Sequence, residues 1–103
     1  MVNTLSLITE KQFRQQVIDL AKLFGWKCYF TWTSIHSPRG IPDLVLCRPP
    51  RLILAELKTI KGKVTPHQQE WLDLLEQCPG VETFVWRPSD WDEIVAVLQR
   101  EVS

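Results

Sequence analysis

Three charged side chains stand where a strand-forming sequence should be apolar. In the segment 40–58, GIPDLVLCRPPRLILAELK, Asp43, Glu56 and Lys58 interrupt two runs of Val, Ile, Leu and Ala. A charge set among core-forming residues costs several kcal/mol unless it is paired or holds an ion. Glu56 and Lys58 lie two apart, so on a strand both project from one face, while Ile53, Ala55 and Leu57 project from the other. Arg48-Pro49-Pro50-Arg51 reads as the turn of a hairpin, and a hairpin closed there sets Asp43 near the level of Glu56. Two carboxylates and an ammonium then converge. A hard divalent cation relieves the repulsion between the acids. Mg²⁺ suits such a site, since it keeps several waters and takes only one or two carboxylates, and Mn²⁺ is its natural substitute. Such an ion clamps a phosphate oxygen and acidifies a water, and a neighbouring lysine orients that water or stabilises charge on phosphorus. The chemistry is phosphodiester hydrolysis.

The elements that must position these groups are legible on either side. Thr9-Glu10-Lys11-Gln12 has the form of a capping box, followed by Phe13, Val17, Leu20, Ala21 and Phe24 at helical spacing and by Gly25 as a stop. Residues 26–33 alternate as a strand does, with Trp26, Cys28, Phe30 and Trp32 on one side. After a loop over 34–41, strands are expected over 43–47 and 52–58. Gly40 allows the loop to turn sharply, and Pro42 holds the chain extended into Asp43. A basic loop over 59–64 leads to Thr65-Pro66-His67-Gln68, a second capping box with proline at the first helical position. Trp71, Leu72, Leu74 and Leu75 supply that helix with an apolar side, and Pro79-Gly80 ends it. A fourth strand is expected over 81–86. A last helix opens at Ser89, its buried stripe formed by Trp91, Ile94, Val95, Leu98 and Val102. The order α-β-β-β-α-β-α packs naturally as one mixed sheet flanked by helices.

At 103 residues the chain has room for one core and one active site, so 1–103 reads as a single domain with 1–8 as a loose N-terminal tail. A hydrophobic content of 45% argues against disorder. No apolar run approaches the ~20 residues of a membrane span, and 1–9 lacks the basic start and apolar core of a signal peptide. The expected location is the cytoplasm. Cys28, Cys47 and Cys78 are odd in number and match neither a disulfide framework nor a zinc pattern. The net charge is zero, yet the span from His36 to His67 carries six basic residues, Arg39, Arg48, Arg51, Lys58, Lys61 and Lys63, against two acids. A chain with a basic face and an acidic back can bind a phosphate backbone despite overall neutrality.

Pro42-Asp43, followed after a hairpin by Glu56-Leu57-Lys58, resembles the PD-(D/E)xK nuclease signature. More narrowly, Glu10, Gly40-Ile41-Pro42-Asp43-Leu44, Glu56-Leu57-Lys58 and Gly62-Lys63-Val64-Thr65-Pro66 leading to Gln68 and Trp71 resemble the VRR-NUC branch, over residues 10–86. The resemblance implies a restriction-endonuclease-like α/β fold with an αβββαβ core, here with an added C-terminal helix. It implies Asp43, Glu56 and the Leu57 carbonyl as metal ligands, Lys58 serving the attacking water, Gln68 supporting that water or the lysine, and Glu10 completing the site. It also implies a 5′-phosphate product. Stand-alone members of this group are similar to small phage or bacterial nucleases that act as homodimers on branched DNA, four-way junctions above all, in which case the compartment is the host cytoplasm.

Plainer roles compete at several positions. A solvated hairpin edge with an ion pair would account for Asp43, Glu56 and Lys58 alone, but not for the rest of the pattern. An acid in a first helical turn, as Glu10 is, is favoured by the helix dipole. Gln68 is equally suited to be the reciprocal partner of the Thr65 cap. His36, Arg39, Lys61 and Lys63 are either DNA-backbone contacts or exposed loop residues. Trp32 could stack on an unpaired base, whereas Trp26, Trp71, Trp86 and Trp91 fall at core-facing positions. Two classes of function remain: a metal-dependent endodeoxyribonuclease, of junction-resolving or general nicking type, and a DNA-binding or assembly module that keeps the fold without the chemistry. Such a module would lack an acid or the lysine, and none is missing.

Overall fold

The structure, a computed structural model, describes residues 7–31 and 40–102. Helix α1 (Glu10–Leu23) begins at the expected capping box, with the Thr9 hydroxyl accepting from Gln12 N at 3.1 Å and the Gln12 side chain accepting from Thr9 N at 2.9 Å. Its stripe of Phe13, Val17, Ile18 and Ala21 is buried, and Gly25, at φ +87°, turns the chain away as only glycine does without strain. Strand β1 (Lys27–Phe30) follows, shorter in the described residues than the 26–33 expected. Strands β2 (Leu44–Arg48) and β3 (Arg51–Leu57) form the hairpin, closed by Pro49-Pro50 through a cis peptide bond, with Arg48 opposite Arg51 and Leu44 opposite Ala55.

Helix α2 (Pro66–Glu76) carries the second capping box and crosses over to β4 (Val81–Trp86), which pairs with β3 in parallel. A short 3₁₀ turn (Pro88–Asp90) leads into α3 (Trp91–Gln99). The four-stranded sheet is therefore mixed, in the order β1-β2-β3-β4. One face holds the main core, where Phe13, Val17 and Ala21 of α1 and Ile94 and Leu98 of α3 meet Leu44, Leu46, Ile53, Ala55, Leu57 and Trp86. Ile8 packs against the same cluster.

Two expected apolar contacts are corrected. Leu74 is 55% and Val102 54% exposed, because α2 buries only Leu72 and α3 ends at Gln99, before Val102 can return to the stripe. Trp71 and Trp91 are half-buried, in contrast to the fully enclosed Trp26 and Trp86.

The turn end of the hairpin is a saturated polar lock. Trp26 donates its indole N–H to the Leu98 carbonyl at 2.9 Å, and the guanidinium groups of Arg48 and Arg51 lie over its ring at 4.7 and 5.0 Å. Arg48 donates to the Phe24 and Leu98 carbonyls, and Arg51 to those of Val97 and Arg100, so the last turn of α3 finds donors for carbonyls the helix itself leaves unpaired. Arg51 also forks onto Glu82, Nε and Nη2 each donating at 2.8 Å, and Arg100 adds a third bond to the same carboxylate. These two turn arginines belong to the α3 dock, at the far end of the hairpin from Asp43, and do not extend the expected basic contact segment.

The Arg51 hydrogen bonds, with the charges of Arg51 and Arg100, hold the Glu82 carboxyl below the usual range against an opposing effect of burial. A group depressed in the folded state stabilises above its unfolded pKa, and that contribution is lost as pH falls through the folded value. Glu82→Gln should therefore cost about 1–3 kcal/mol in urea unfolding near neutral pH, and the difference from wild type should close as the pH is lowered to about 3.

Candidate active site

The opposite end of the hairpin is polar and unsaturated. Leu44 is the first residue of β2 and pairs with Ala55, so the β3 backbone beyond Ala55 has no strand partner on that side. Asp43 supplies one from its side chain, its Oδ2 accepting from Leu57 N at 2.9 Å. Its backbone carbonyl accepts from Thr31 N at 2.8 Å, which ties the same residue to the end of β1. Asp43 is thus held from both neighbouring strands, with its carboxyl against β3.

Glu56 projects to the α2 face of β3 and is 1% exposed. Gln68 reaches it from the first turn of α2, Nε2 donating to Glu56 Oε1 at 3.0 Å. The oxygen end of the same amide accepts from Thr65 N at 2.8 Å. One end of the amide thus caps the helix, and the other reaches the Glu56 carboxyl rather than Lys58. Lys58 lies next to the pair, its Nζ 3.9 Å from Glu56 Oε1 and its side chain 11% exposed. The second Glu56 oxygen, Oε2, is buried without a hydrogen-bond partner. Burial first, then the close approach and charge repulsion of Asp43, with a smaller repulsion from Glu10, push the Glu56 carboxyl up to about 9, against the opposing pull of Lys58.

Glu10, at the start of α1, joins from the other side. Its carboxyl is raised by partial burial and by Asp43, and lowered by Lys58 and Arg14. The five residues Glu10, Asp43, Glu56, Lys58 and Gln68, drawn from α1, the approach to β2, β3 with the residue after it, and α2, are linked directly or through their fields.

Two backbone devices hold this convergence. Gly40, at φ +90°, packs against the α2 N-terminus so closely that a Cβ would collide with the His67 carbonyl, which fixes the Asp43 loop relative to Gln68. The loop after β3 is clamped by Arg87, whose Nη1 donates to the carbonyls of Thr59, at 2.7 Å, and of Gly62. A Cβ at Gly62 would lie 3.5 Å from Lys58 Cδ, so the clamped loop covers the lysine stem. Arg87 was not among the sequence candidates, because nothing in its local sequence distinguishes a clamp from a surface arginine. Lys61 and Lys63 stand exposed on this loop. His36, Arg39 and Trp32 lie outside the described residues.

Residues 5–90 match the VRR-NUC domain. The chain belongs to the VRR-NUC family. A solved structure of a VRR_NUC domain protein shares 20% identity with it, covering 89% of this chain and 86% of that one, with a TM-score of 0.68, a likeness that speaks for the fold. No curated protein matches. The fold is restriction-endonuclease-like. VRR-NUC membership brings a nuclease-type domain and points to DNA as the substrate class. No helix among the described residues is long and apolar enough to cross a membrane.

The side-chain oxygens able to take a cation here are those of Asp43 and Glu56, with Glu10 nearby and the Leu57 carbonyl next along β3. No group of three or more His, Cys, Asp or Glu among the described residues forms a cage. That donor set, hard and few in number, disfavours zinc or a fully protein-coordinated Ca²⁺ and fits a largely hydrated Mg²⁺. The buried Glu56 Oε2, which has no hydrogen-bond partner, is an oxygen that suits such an ion.

A pH dependence follows. A carboxyl whose folded pKa is raised favours the folded state below its unfolded pKa, and that contribution is lost as pH rises through the folded value of about 9. In EDTA, thermal stability should fall as pH is raised from about 5 toward 9. Glu56→Gln keeps the shape and offers N–H donors toward Asp43, so it should melt above wild type at about pH 8 and close to it at about pH 5. An equal difference at both pH values would place the destabilising charge elsewhere.

Proposed function

We propose that this protein is a Mg²⁺-dependent endodeoxyribonuclease, selective for branched DNA of the four-way-junction type and acting as a homodimer, with Mn²⁺ able to replace Mg²⁺. The observation that carries the nuclease reading is the buried Glu56 carboxyl, facing Asp43, short of one hydrogen-bond partner and flanked by Lys58. Two acids so placed are costly in an empty structural role and well suited to a role with a cation.

Asp43, Glu56 and the Leu57 carbonyl would hold the ion, with Glu10 completing the site. The ion would supply charge stabilisation on the phosphate and a more acidic water. Gln68 holds the Glu56 carboxyl in one orientation through its bond to Oε1. Lys58, short of full ion-pair contact at 3.9 Å, keeps its N–H donors available to orient the attacking water and to stabilise charge as it develops on phosphorus. Its enclosed stem limits the arc the ammonium can sweep, which favours one working position. Lys61 and Lys63 supply exposed charge next to the site for the DNA backbone.

The preference for junctions rests on symmetry. A four-way junction is cut productively at two related points, which calls for two sites about a two-fold axis, and a domain of this size gains most of its substrate grip from a second copy.

The decisive assay is cleavage of a labelled four-way junction beside a matched linear duplex and a single strand, in Mg²⁺, Mn²⁺ or EDTA. Paired symmetrical cuts in the junction alone are expected, lost in EDTA. Asp43→Ala and Glu56→Ala should lower the rate by about a hundredfold or more while leaving the fold intact. Equal cutting of all three substrates would replace the junction enzyme with a general nicking nuclease, and binding without cutting under both metals would leave an assembly module. Lys61→Ala combined with Lys63→Ala should instead weaken binding and reduce the slope of log K against log salt by roughly two. An unchanged slope would make those lysines bystanders.

A further inference from the structure

The described residues include five arginines, and four of them have their guanidinium groups committed. Arg48 and Arg51 serve the α3 carbonyls and Glu82, Arg87 clamps the carbonyls of Thr59 and Gly62, and Arg100 bonds Glu82. Arg14 is the exception. No carboxylate or carbonyl among the described residues takes its N–H donors, and its guanidinium lies over the Phe30 ring, 4.9 Å from the centroid. That contact holds the group in place without consuming a donor.

Its position is not incidental. Arg14 is one turn beyond Glu10 on α1, and Phe30 is the last residue of β1, paired with Leu44 immediately beside Asp43. The field of Arg14 reaches Glu10, as do those of Asp43 and Lys58. The group therefore stands at the α1 rim of the acid site, on a different element from Lys61 and Lys63. A half-buried, pre-positioned guanidinium whose fork of donors no described residue takes matches the geometry of a phosphate, and less of its side-chain entropy is lost on contact than for a free lysine.

We propose that Arg14 is a substrate-binding residue that takes a DNA backbone phosphate flanking the cleaved bond, anchoring the strand from the α1 side. The proposal rests on the nuclease reading above and adds a named contact to it.

The test is DNA binding by the full chain in EDTA, measured over a range of salt concentrations, together with steady-state cleavage in Mg²⁺. Arg14→Met keeps an unbranched stem to pack on Phe30 and removes every donor, and Arg14→Lys keeps the charge without the fork. Arg14→Met is expected to bind about tenfold more weakly and to lose about 0.9 from the slope of log K against log salt, the signature of one phosphate contact. It should raise KM with little change in kcat and melt within a degree or so of wild type. Arg14→Lys should restore the slope and part of the affinity. An unchanged affinity and slope in Arg14→Met, whatever its melting temperature, would make Arg14 a packing partner of Phe30 and overturn the proposal. A wild type that binds DNA but cuts none would sink the nuclease reading while the salt slope still judged Arg14. A wild type that fails to bind DNA would sink both.

Discussion

The site end of this molecule depends on one electrostatic conflict: the Glu56 carboxyl, almost wholly buried, faces Asp43 across the open end of a hairpin with one of its oxygens unpaired. Neither acid can be relieved by the fold alone. Lys58 stands at the limit of ion-pair distance, and Gln68 satisfies only one oxygen. Without a cation the pair settles by Glu56 keeping a proton well above the ordinary carboxylate range. Stability is given up at this end to keep two acids side by side.

The other end of the same two strands is arranged in the opposite sense. There Arg48 and Arg51 close over Trp26, satisfy the last carbonyls of α3 and neutralise Glu82, leaving little for a ligand to do. The hairpin is therefore fastened at its turn and left polar and unsatisfied at its mouth, about 16 Å away at strand rise. A sheet anchored at one end can tolerate strain at the other, because the core between them, from Leu46 and Ile53 to Ile94 and Leu98, is fully enclosed.

Side chains and backbone are shared between structure and site. Gln68 caps α2 with its oxygen and orients Glu56 with its nitrogen, so the helix cannot form in its capped state without presenting the donor. Gly40 lets the Asp43 loop touch the first turn of α2, and Arg87 folds the loop after β3 over the Lys58 stem. These contacts couple the relative placement of four elements to a few bonds, which limits how far the reacting groups can drift.

The element order, the two capping boxes and the trio of Asp43, Glu56 and Lys58 were determined by the sequence alone, because each rests on local rules: a cap is satisfied within four residues, and a strand alternates every two. Family membership was legible for the same reason, carried by short motifs at fixed spacing. What only the tertiary structure decided is how long-range contacts spend each polar group. Arg48, Arg51, Arg87 and Arg14 look alike in the chain, yet three are consumed by carbonyls or a carboxylate, and the donors of Arg14 are taken by none of the described residues. Leu74 and Val102 fit a helical stripe by period, yet α2 turns Leu72 inward instead and α3 ends at Gln99, short of Val102. Local periodicity says which side of an element a residue occupies, and only packing says what stands opposite.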